Sequence, residues 1–289
     1  MLCLYADSPD RSSYLRTRLS IPAGPCYSAG MSWEQEYQVL TDALRDAGAE
    51  ALRLAANGFQ IYTKPDDSPV TSADHAVNEL LMDRLLGRFP DDGWLSEETP
   101  DTAARLEKSR VWVIDPIDGT KAFIRREPEF CISVALLEGA QPVLAAIFNP
   151  STNELYSAAR GQGLHLNGAA VPRRESVTDQ VPTIALSPWE LQIGRFKSVA
   201  PHITSRPTRS IAWALALAAS GIIHGVMTLE PENEWDVAAG ALLLEEAGGS
   251  TRDGSGSPLR FNRPVPRYQG IIATAAGFPG HLTAQLFDM

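Results

Sequence analysis

Residues 111–123 read VWVIDPIDGTKAF: an apolar run that ends in Asp115, then a Pro-Ile pair, a second carboxylate at Asp118, and Gly-Thr-Lys. The VWVI run is strand-like, and Gly119 and Thr120 open what reads as a short helix through Arg125. Asp115 and Asp118 thus stand three residues apart at the end of an apolar element. Carboxylates placed so closely repel each other unless a positive charge lies between them. Pro116 stiffens the chain after Asp115, and the turn aims the carbonyl of Ile117 into the space the aspartates share. Backbone amides at a helix N-terminus suit a phosphate. A cation on one side and amides on the other describe a phosphoryl site.

Other carboxylates fall at the ends of elements. Glu97 and Glu98 close WLSEE, Asp236 starts a helix in EWDVAAG, and Asp74 lies near the start of another in SPVTSAD. Such positions face the crevice where α/β proteins place ligands. Each acid also has a plain structural reading: Asp74 and Asp236 as helix-start residues favoured by the macrodipole, Glu97 and Glu98 as solvated loop residues. Taken together they form a set of hard oxygen donors suited to Mg²⁺. Thr71, three residues before Asp74, reads first as a helix cap. The alternative has Asp74 facing the pocket, where it accepts a proton directly or through Thr120.

The apolar residues Val39, Leu40, Ala43, Leu44, Ala47, Ala51 and Leu54 predict a helix over 33–56, ended by Gly58. A polar loop over 63–74 leads to a second helix carrying Ala76, Val77, Leu80, Leu81 and Leu85 inward, stopped by PDDG at 90–93. Strand-like runs follow at 93–97, 111–115, 130–138, 142–150 and 154–160, and Asn167-Gly168 is a hairpin signal. The polar stretch 169–182 marks a boundary between an α+β metal-binding domain, 31–178, and an α/β domain, 179–289. In the second domain strands at 183–186, 222–229 and 271–275 accompany helices at 211–219 and 237–247 and a terminal helix. Residues 1–30 carry no apolar h-region and read as a poorly packed extension rather than a secretory signal.

Several function classes are disfavoured. A formal net charge of −10 over 289 residues lacks the basic footprint of a nucleic-acid polymer binder. No stretch approaches the ~18 apolar residues of a membrane span. Cys3, Cys26 and Cys131 show no disulfide or metal spacing, which points to a reducing cytoplasm. There is no Walker A sequence and no G-x-S-x-G elbow around Ser68 or Ser96. His75, His165, His202, His224 and His281 lack metal or triad spacing, and Trp213 in its Ala/Leu stripe reads as core.

DPIDGT at 115–120, WDVAAG at 235–240 and SEE at 96–98, with GQGLHLNG at 161–168, resemble the signatures of the inositol monophosphatase superfamily of Mg²⁺-dependent phosphatases. The resemblance runs from about Trp33 to the C-terminus and implies a layered αβαβα sandwich. Lys64, Asp66 and Ser68 before SPVTSAD, the GWLSEE run, Lys121 and Glu234 are similar to the CysQ type, the 3'(2'),5'-bisphosphate nucleotidases. The resemblance implies Glu97, Asp115, Asp118, Asp236 and the Ile117 carbonyl as ligands of two or three Mg²⁺ ions. It implies Asp74 and Thr120 as the pair that activates water, and Gly119, Thr120, Lys121 and Asp236 as contacts of the phosphate substrate. The expected reaction is adenosine 3',5'-bisphosphate to AMP and phosphate. The alternatives are an inositol or other polyol phosphatase, and a non-catalytic phosphate-ligand binder. A homodimer is also implied. The sequence departs from the family pattern at Arg209-Ser210, where many relatives carry Gly-Ser or Gly-Thr, and at SPWE over 187–190. Arg209 reads either as a surface ion pair or as a contact of a second phosphate.

Overall fold

The structure, a computed structural model, describes residues 33–173, 181–196, 200–279 and Leu282. The expectations for residues 1–30 and for a terminal helix lie outside the described residues, as does most of the 169–182 boundary after Arg173.

Helix α1 (Glu34–Asn57) leads to a hairpin of β1 (Ile61–Thr63) and β2 (Pro69–Thr71), then to α2 (Ser72–Leu86). Seven strands follow: β3 (Gly93–Ser96), β4 (Arg110–Asp118), β5 (Cys131–Glu138), β6 (Gln141–Asn149), β7 (Glu154–Ala159), β8 (Leu164–Leu166) and β9 (Ala169–Ala170). The short helix α3 (Thr120–Ile124) lies between β4 and β5. The strands join in sequence order into one sheet, with β3 parallel to β4 and each later neighbour antiparallel. Asn167 and Gly168, both with positive φ, make the tight turn between β8 and β9.

The second half comprises β10 (Thr183–Leu186), α4 (Pro188–Ile193), β11 (Thr204–Pro207), α5 (Ile211–Ala219), β12 (Gly225–Asn233), α6 (Glu234–Glu246), β13 (Ser250–Asp253) and β14 (Arg267–Thr274). Its sheet runs β11-β10-β12-β14-β13, parallel across the first three strands and antiparallel across the rest.

Strand β4 shows why the layers form. Trp112 and Ile114 pack with α1 and α2 on one face, while Val111 and Val113 pack with α5 and α6 on the other. A strand covered on both faces has no solvated side, hence the unbroken VWVI run. Helices α5 and α6 lie between the two sheets, and they approach so closely that a Cβ at Gly240 would meet Leu215 Cβ at 2.4 Å. On the outer face of the second sheet Ile184, Leu186, Met227 and Ile272 cluster with Phe196, and Leu191 of α4 packs against them. The sequence of layers is α1/α2, seven strands, α5/α6, five strands, α4: the αβαβα sandwich.

Some boundaries move. The polar loop expected over 63–74 contains the β1–β2 hairpin, and α2 begins at Ser72. Its exposed β1 buries nothing that a hydrophobic pattern could reveal. The strand expected over 222–229 is observed as β12 at 225–233, and its polar EPEN end pairs with β14 beyond a bulge at 228–231.

Candidate active site

Strand β4 delivers the first two carboxylates. Its ladder with β5 is regular to Asp115 and resumes at Asp118, so Pro116 and Ile117 bulge out between them. The Ile117 amide donates to Asp115 Oδ1 at 3.0 Å. Gly119 then turns the chain with φ 92°, and a Cβ there would lie 2.8 Å from the Glu129 carbonyl oxygen. Only glycine meets both requirements without strain.

Asp118 is fixed from the other half of the molecule. Ser210 Oγ and the Ala212 amide both donate to Asp118 Oδ2 at 2.6 Å, while Ser210 Oγ accepts from the Trp213 amide at 3.0 Å and caps α5. Asp236 stands in the first turn of α6, where its Oδ2 accepts from the Asn233 amide at 2.8 Å. Each aspartate therefore has one oxygen fixed by protein donors, and because a carboxylate is planar the second oxygen is aimed as well.

Carboxylate oxygens of Asp115, Asp118 and Asp236 lie within 4.8 Å of one another. Burial, with the charges of Glu97, Asp118 and Asp236, lifts the Asp115 carboxyl well above the usual range. Burial and Glu232 do the same to Asp236. Burial raises Asp118 to about 6 even though the Ser210 and Ala212 donors favour its charged form. Three hard oxygen donors that repel one another in a buried space fit a divalent cation of the Mg²⁺ type.

Beside this set stands a second pair. Thr71 and Asp74 form a capping box at the start of α2: Asp74 Oδ2 accepts from the Thr71 amide at 2.8 Å and from its hydroxyl at 2.6 Å. Asp74 Oδ1 is 3.2 Å from Thr120 Oγ1, which also lies 3.1 Å from the Ile117 carbonyl. The two oxygens of Asp74 therefore face different partners, one the helix cap at Thr71 and the other the Thr120 hydroxyl. Burial raises its pKa against the Thr71 donors.

Glu97 lies outside the three-aspartate set. Lys64 Nζ, carried on the β1–β2 hairpin, donates at 2.7 Å to both Glu97 and Glu98. Burial opposes the Lys64 charge, but the two carboxylates hold its pKa above the ordinary lysine value. Lys121 is exposed on α3. His75 and His202 are exposed, the Thr183 amide donates to His224 Nδ1, and His281 lies outside the described residues. Trp213 is buried between the sheets, as its stripe predicts.

Two neighbours of the site escaped the sequence reading. Ser210 stands out in the sequence only as part of a departure from a motif, yet its hydroxyl is one of the two donors that fix Asp118. Glu232, in the polar end of β12, has its carboxyl raised to about 8 by burial and the Asp118 charge. Nothing in EPEN distinguishes such a residue from a solvated loop acid.

Residues 32–288 match the model of the inositol monophosphatase family. The chain is 33% identical over 222 residues to the 3'(2'),5'-bisphosphate nucleotidase CysQ of Escherichia coli O157:H7, covering 75% of this chain and 90% of that protein. It is 35% identical over 235 residues to inositol monophosphatase 2 of Solanum lycopersicum, covering 75% and 88%. Among solved structures, the extragenic suppressor protein suhB from Bartonella henselae superposes with a TM-score of 0.74 at 27% identity, covering 88% of this chain and 97% of that one. With its three aspartates at the ends of β4 and the start of α6, and a match that spans nearly all the described residues, the chain belongs to the inositol monophosphatase family.

Proposed function

We propose that the protein is a Mg²⁺-dependent phosphomonoester hydrolase whose substrate is a 3'(2'),5'-bisphosphate nucleotide, cleaved to the nucleoside monophosphate and phosphate. The observation that carries the reading is the convergence of Asp115, Asp118 and Asp236 within 4.8 Å of one another, in a chain whose Thr120 hydroxyl reaches Asp74 at 3.2 Å. Asp115, Asp118, Asp236 and the Ile117 carbonyl would hold Mg²⁺, with Glu97 completing the set once it leaves Lys64. When bound, the cations supply Lewis-acid neutralisation of the charge that grows on the phosphoryl and leaving oxygens.

The chain's own groups account for the proton and the orientation. The Thr120 hydroxyl donates to Asp74 Oδ1 and accepts from the attacking water. As the water oxygen bonds to phosphorus and the ester P–O bond breaks, the water proton moves to Thr120 Oγ1 and the threonine proton to Asp74, while the departing ester oxygen leaves as an alkoxide and takes a proton from solvent water to give the alcohol. A carboxylate whose pKa is raised by burial is a stronger base for this step than a solvated one. The backbone amides that follow Gly119, with Lys121, would bind the phosphate oxygens, and the αL turn at Gly119 starts the short helix that carries them.

Similarity to a protein named CysQ supports the nucleotide substrate, and similarity to a protein named inositol monophosphatase 2 supports a polyol phosphate as the second reading. A panel of adenosine 3',5'-bisphosphate, inositol 1-phosphate and simple sugar phosphates, with released phosphate as the readout, decides between them. Highest kcat/KM on the bisphosphate, abolished by EDTA, is expected. A preference for inositol 1-phosphate would replace the substrate, and ligand binding without turnover across the panel would make the chain a phosphate binder.

A further inference from the structure

Arg209 pairs with Glu127, and Arg206 with Glu129, through side chains open in part to water. Arg105 differs. It lies in the 3₁₀ helix Ala103–Glu107 after β3, and its side chain is only 2% exposed. A guanidinium taken out of water needs acceptors for the donors it brings with it. Nε and Nη2 grip the Asp101 carboxylate as a fork, at 2.7 and 2.8 Å. The remaining contacts cross to the second half of the chain: Nη1 donates to Asn262 Oδ1 at 2.6 Å, and Nη2 to the Arg263 carbonyl at 2.8 Å.

Asn262 and Arg263 belong to the connection between β13 and β14, and α6 holds the same two residues. Glu234, buried in the first turn of α6, accepts from the Asn262 amide at 2.7 Å and from the Arg263 amide at 3.1 Å. The Glu234 amide donates to the Pro266 carbonyl at 2.9 Å. Asp236 follows in the same helical turn, and at the other end of the network Asp101 follows Glu97 in the segment after β3. The bonds therefore run from the Glu97 segment through Asp101, Arg105 and the 262–263 peptide to the helix start that carries Asp236.

The route bears on the acid site because of where the aspartates come from. Asp115 and Asp118 stand on β4 of the first sheet, and Asp236 stands on the helix that follows β12 of the second. Their approach within 4.8 Å depends on what joins the two halves. Ser210 and Ala212 make that join for Asp118. At the start of α6 the Ser133 hydroxyl reaches the Trp235 carbonyl at 3.3 Å, and the Arg105 strap adds shorter, charge-assisted bonds. A buried ion pair is a weak source of net stability once desolvation is counted, and a good means of fixing one arrangement over others.

We propose that Arg105 is a positioning residue for the acid site. Clamped to Asp101, it holds the 262–263 peptide, and through Glu234 the N-terminus of α6, at the setting where Asp236 meets Asp115 and Asp118. It acts through Glu234 rather than on the reacting atoms. The inference rests on the metal-dependent reading given above, and it adds Asp101, Arg105 and Asn262, which lie outside the motifs that carry the family resemblance.

The test is Mg²⁺ titration by calorimetry, with melting temperatures of the metal-free proteins. N262G removes only the side-chain acceptor: Asn262 has φ 57°, which glycine adopts freely, and the amide remains for Glu234. R105K keeps the charge but not the fork that spans Asp101 and the 262–263 peptide. In both, the dissociation constant for Mg²⁺ rises ~10–100-fold, the scale on which supporting bonds govern metal affinity. N262D restores an oxygen acceptor and returns the affinity close to the wild-type value. The R105K/N262G double variant loses no more than R105K alone, because both break one link. R110K is the control for stability. It cuts a comparable fork to Asp92 and a bond to Glu36 at the end of β4 remote from Asp115, so it lowers the melting temperature and leaves Mg²⁺ affinity unmoved. Unchanged affinity in R105K and N262G, no recovery in N262D, additive losses in the double variant, or an equal loss in R110K overturns the positioning role. A wild type that binds no Mg²⁺ overturns the reading on which the role rests.

Discussion

Asp74→Asn separates two jobs held by one side chain. Oδ2 anchors the capping box through the Thr71 amide and hydroxyl, at 2.8 and 2.6 Å, and Oδ1 faces the Thr120 hydroxyl at 3.2 Å. An asparagine that keeps its oxygen toward Thr71 preserves both capping bonds and turns Nδ2 toward Thr120. The threonine must then accept from that amide, and its proton goes to the Ile117 carbonyl, 3.1 Å away. No carboxylate remains to take the proton from water. The expected fall in kcat is ~10²–10⁴-fold, the scale of a positioned general base.

Stability should respond far less. Two bonds to a carboxylate become bonds to a neutral amide, a loss of about 1 kcal/mol, and removal of a buried charge offsets part of it. That corresponds to a melting-temperature change of about 2–4 °C for a chain of this size class. Asp74→Ala provides the contrast, because it orphans the Thr71 amide and hydroxyl at roughly 1–3 kcal/mol each. Measuring kcat and melting temperature on the same preparations tests the separation. Wild-type kcat in the asparagine variant would refute the relay and leave Asp74 a cap alone.

Three more outcomes follow from the same geometry. Asp115→Asn should abolish activity and greatly weaken Mg²⁺ binding measured by calorimetry, while the melting temperature without metal rises, because the carboxyl removed is buried against other acids. Ser210→Ala removes a donor to Asp118 and the cap of α5, so a loss of about 2–4 kcal/mol in chemical denaturation is expected, together with an upward shift of the Asp118 pKa. Metal-free stability should fall as pH rises from about 4 through about 6, since Asp115, Asp118 and Asp236 have folded pKa values above their unfolded ones and the native state holds more protons in that window; saturating Mg²⁺ should flatten the slope in melting curves taken across that range.

What could be read from the sequence is what repeats along the chain or follows from chain direction. Helix α1 announces itself through apolar residues at helical spacing, and α5 through an Ala/Leu stripe enclosed between two sheets. The aspartates of β4 were legible because a buried strand that ends in paired carboxylates contradicts its own surroundings unless a ligand is there. Asp236 and Asp74 were legible as acids at helix starts, and the structure shows that each also spends one oxygen on capping the helix that carries it.

What could not be read depends on a partner far away in the sequence. Ser210 reaches Asp118 across 92 residues, and Lys64 reaches Glu97 across 33. Neither separation leaves a period or a spacing in the chain. The Lys64 contact bears directly on how the site would fill. Glu97 gives one oxygen to an ammonium ion at 2.7 Å and stands outside the three-aspartate set, while its charge still raises the pKa values of Asp115, Asp118 and Asp236. On the metal reading proposed above, a cation among the aspartates would remove the repulsion that Glu97 feels from them, which would favour its turning inward. The lysine then keeps Glu98 as its partner at the same 2.7 Å, so the hairpin need not let go of the sheet for the carboxylate to change allegiance.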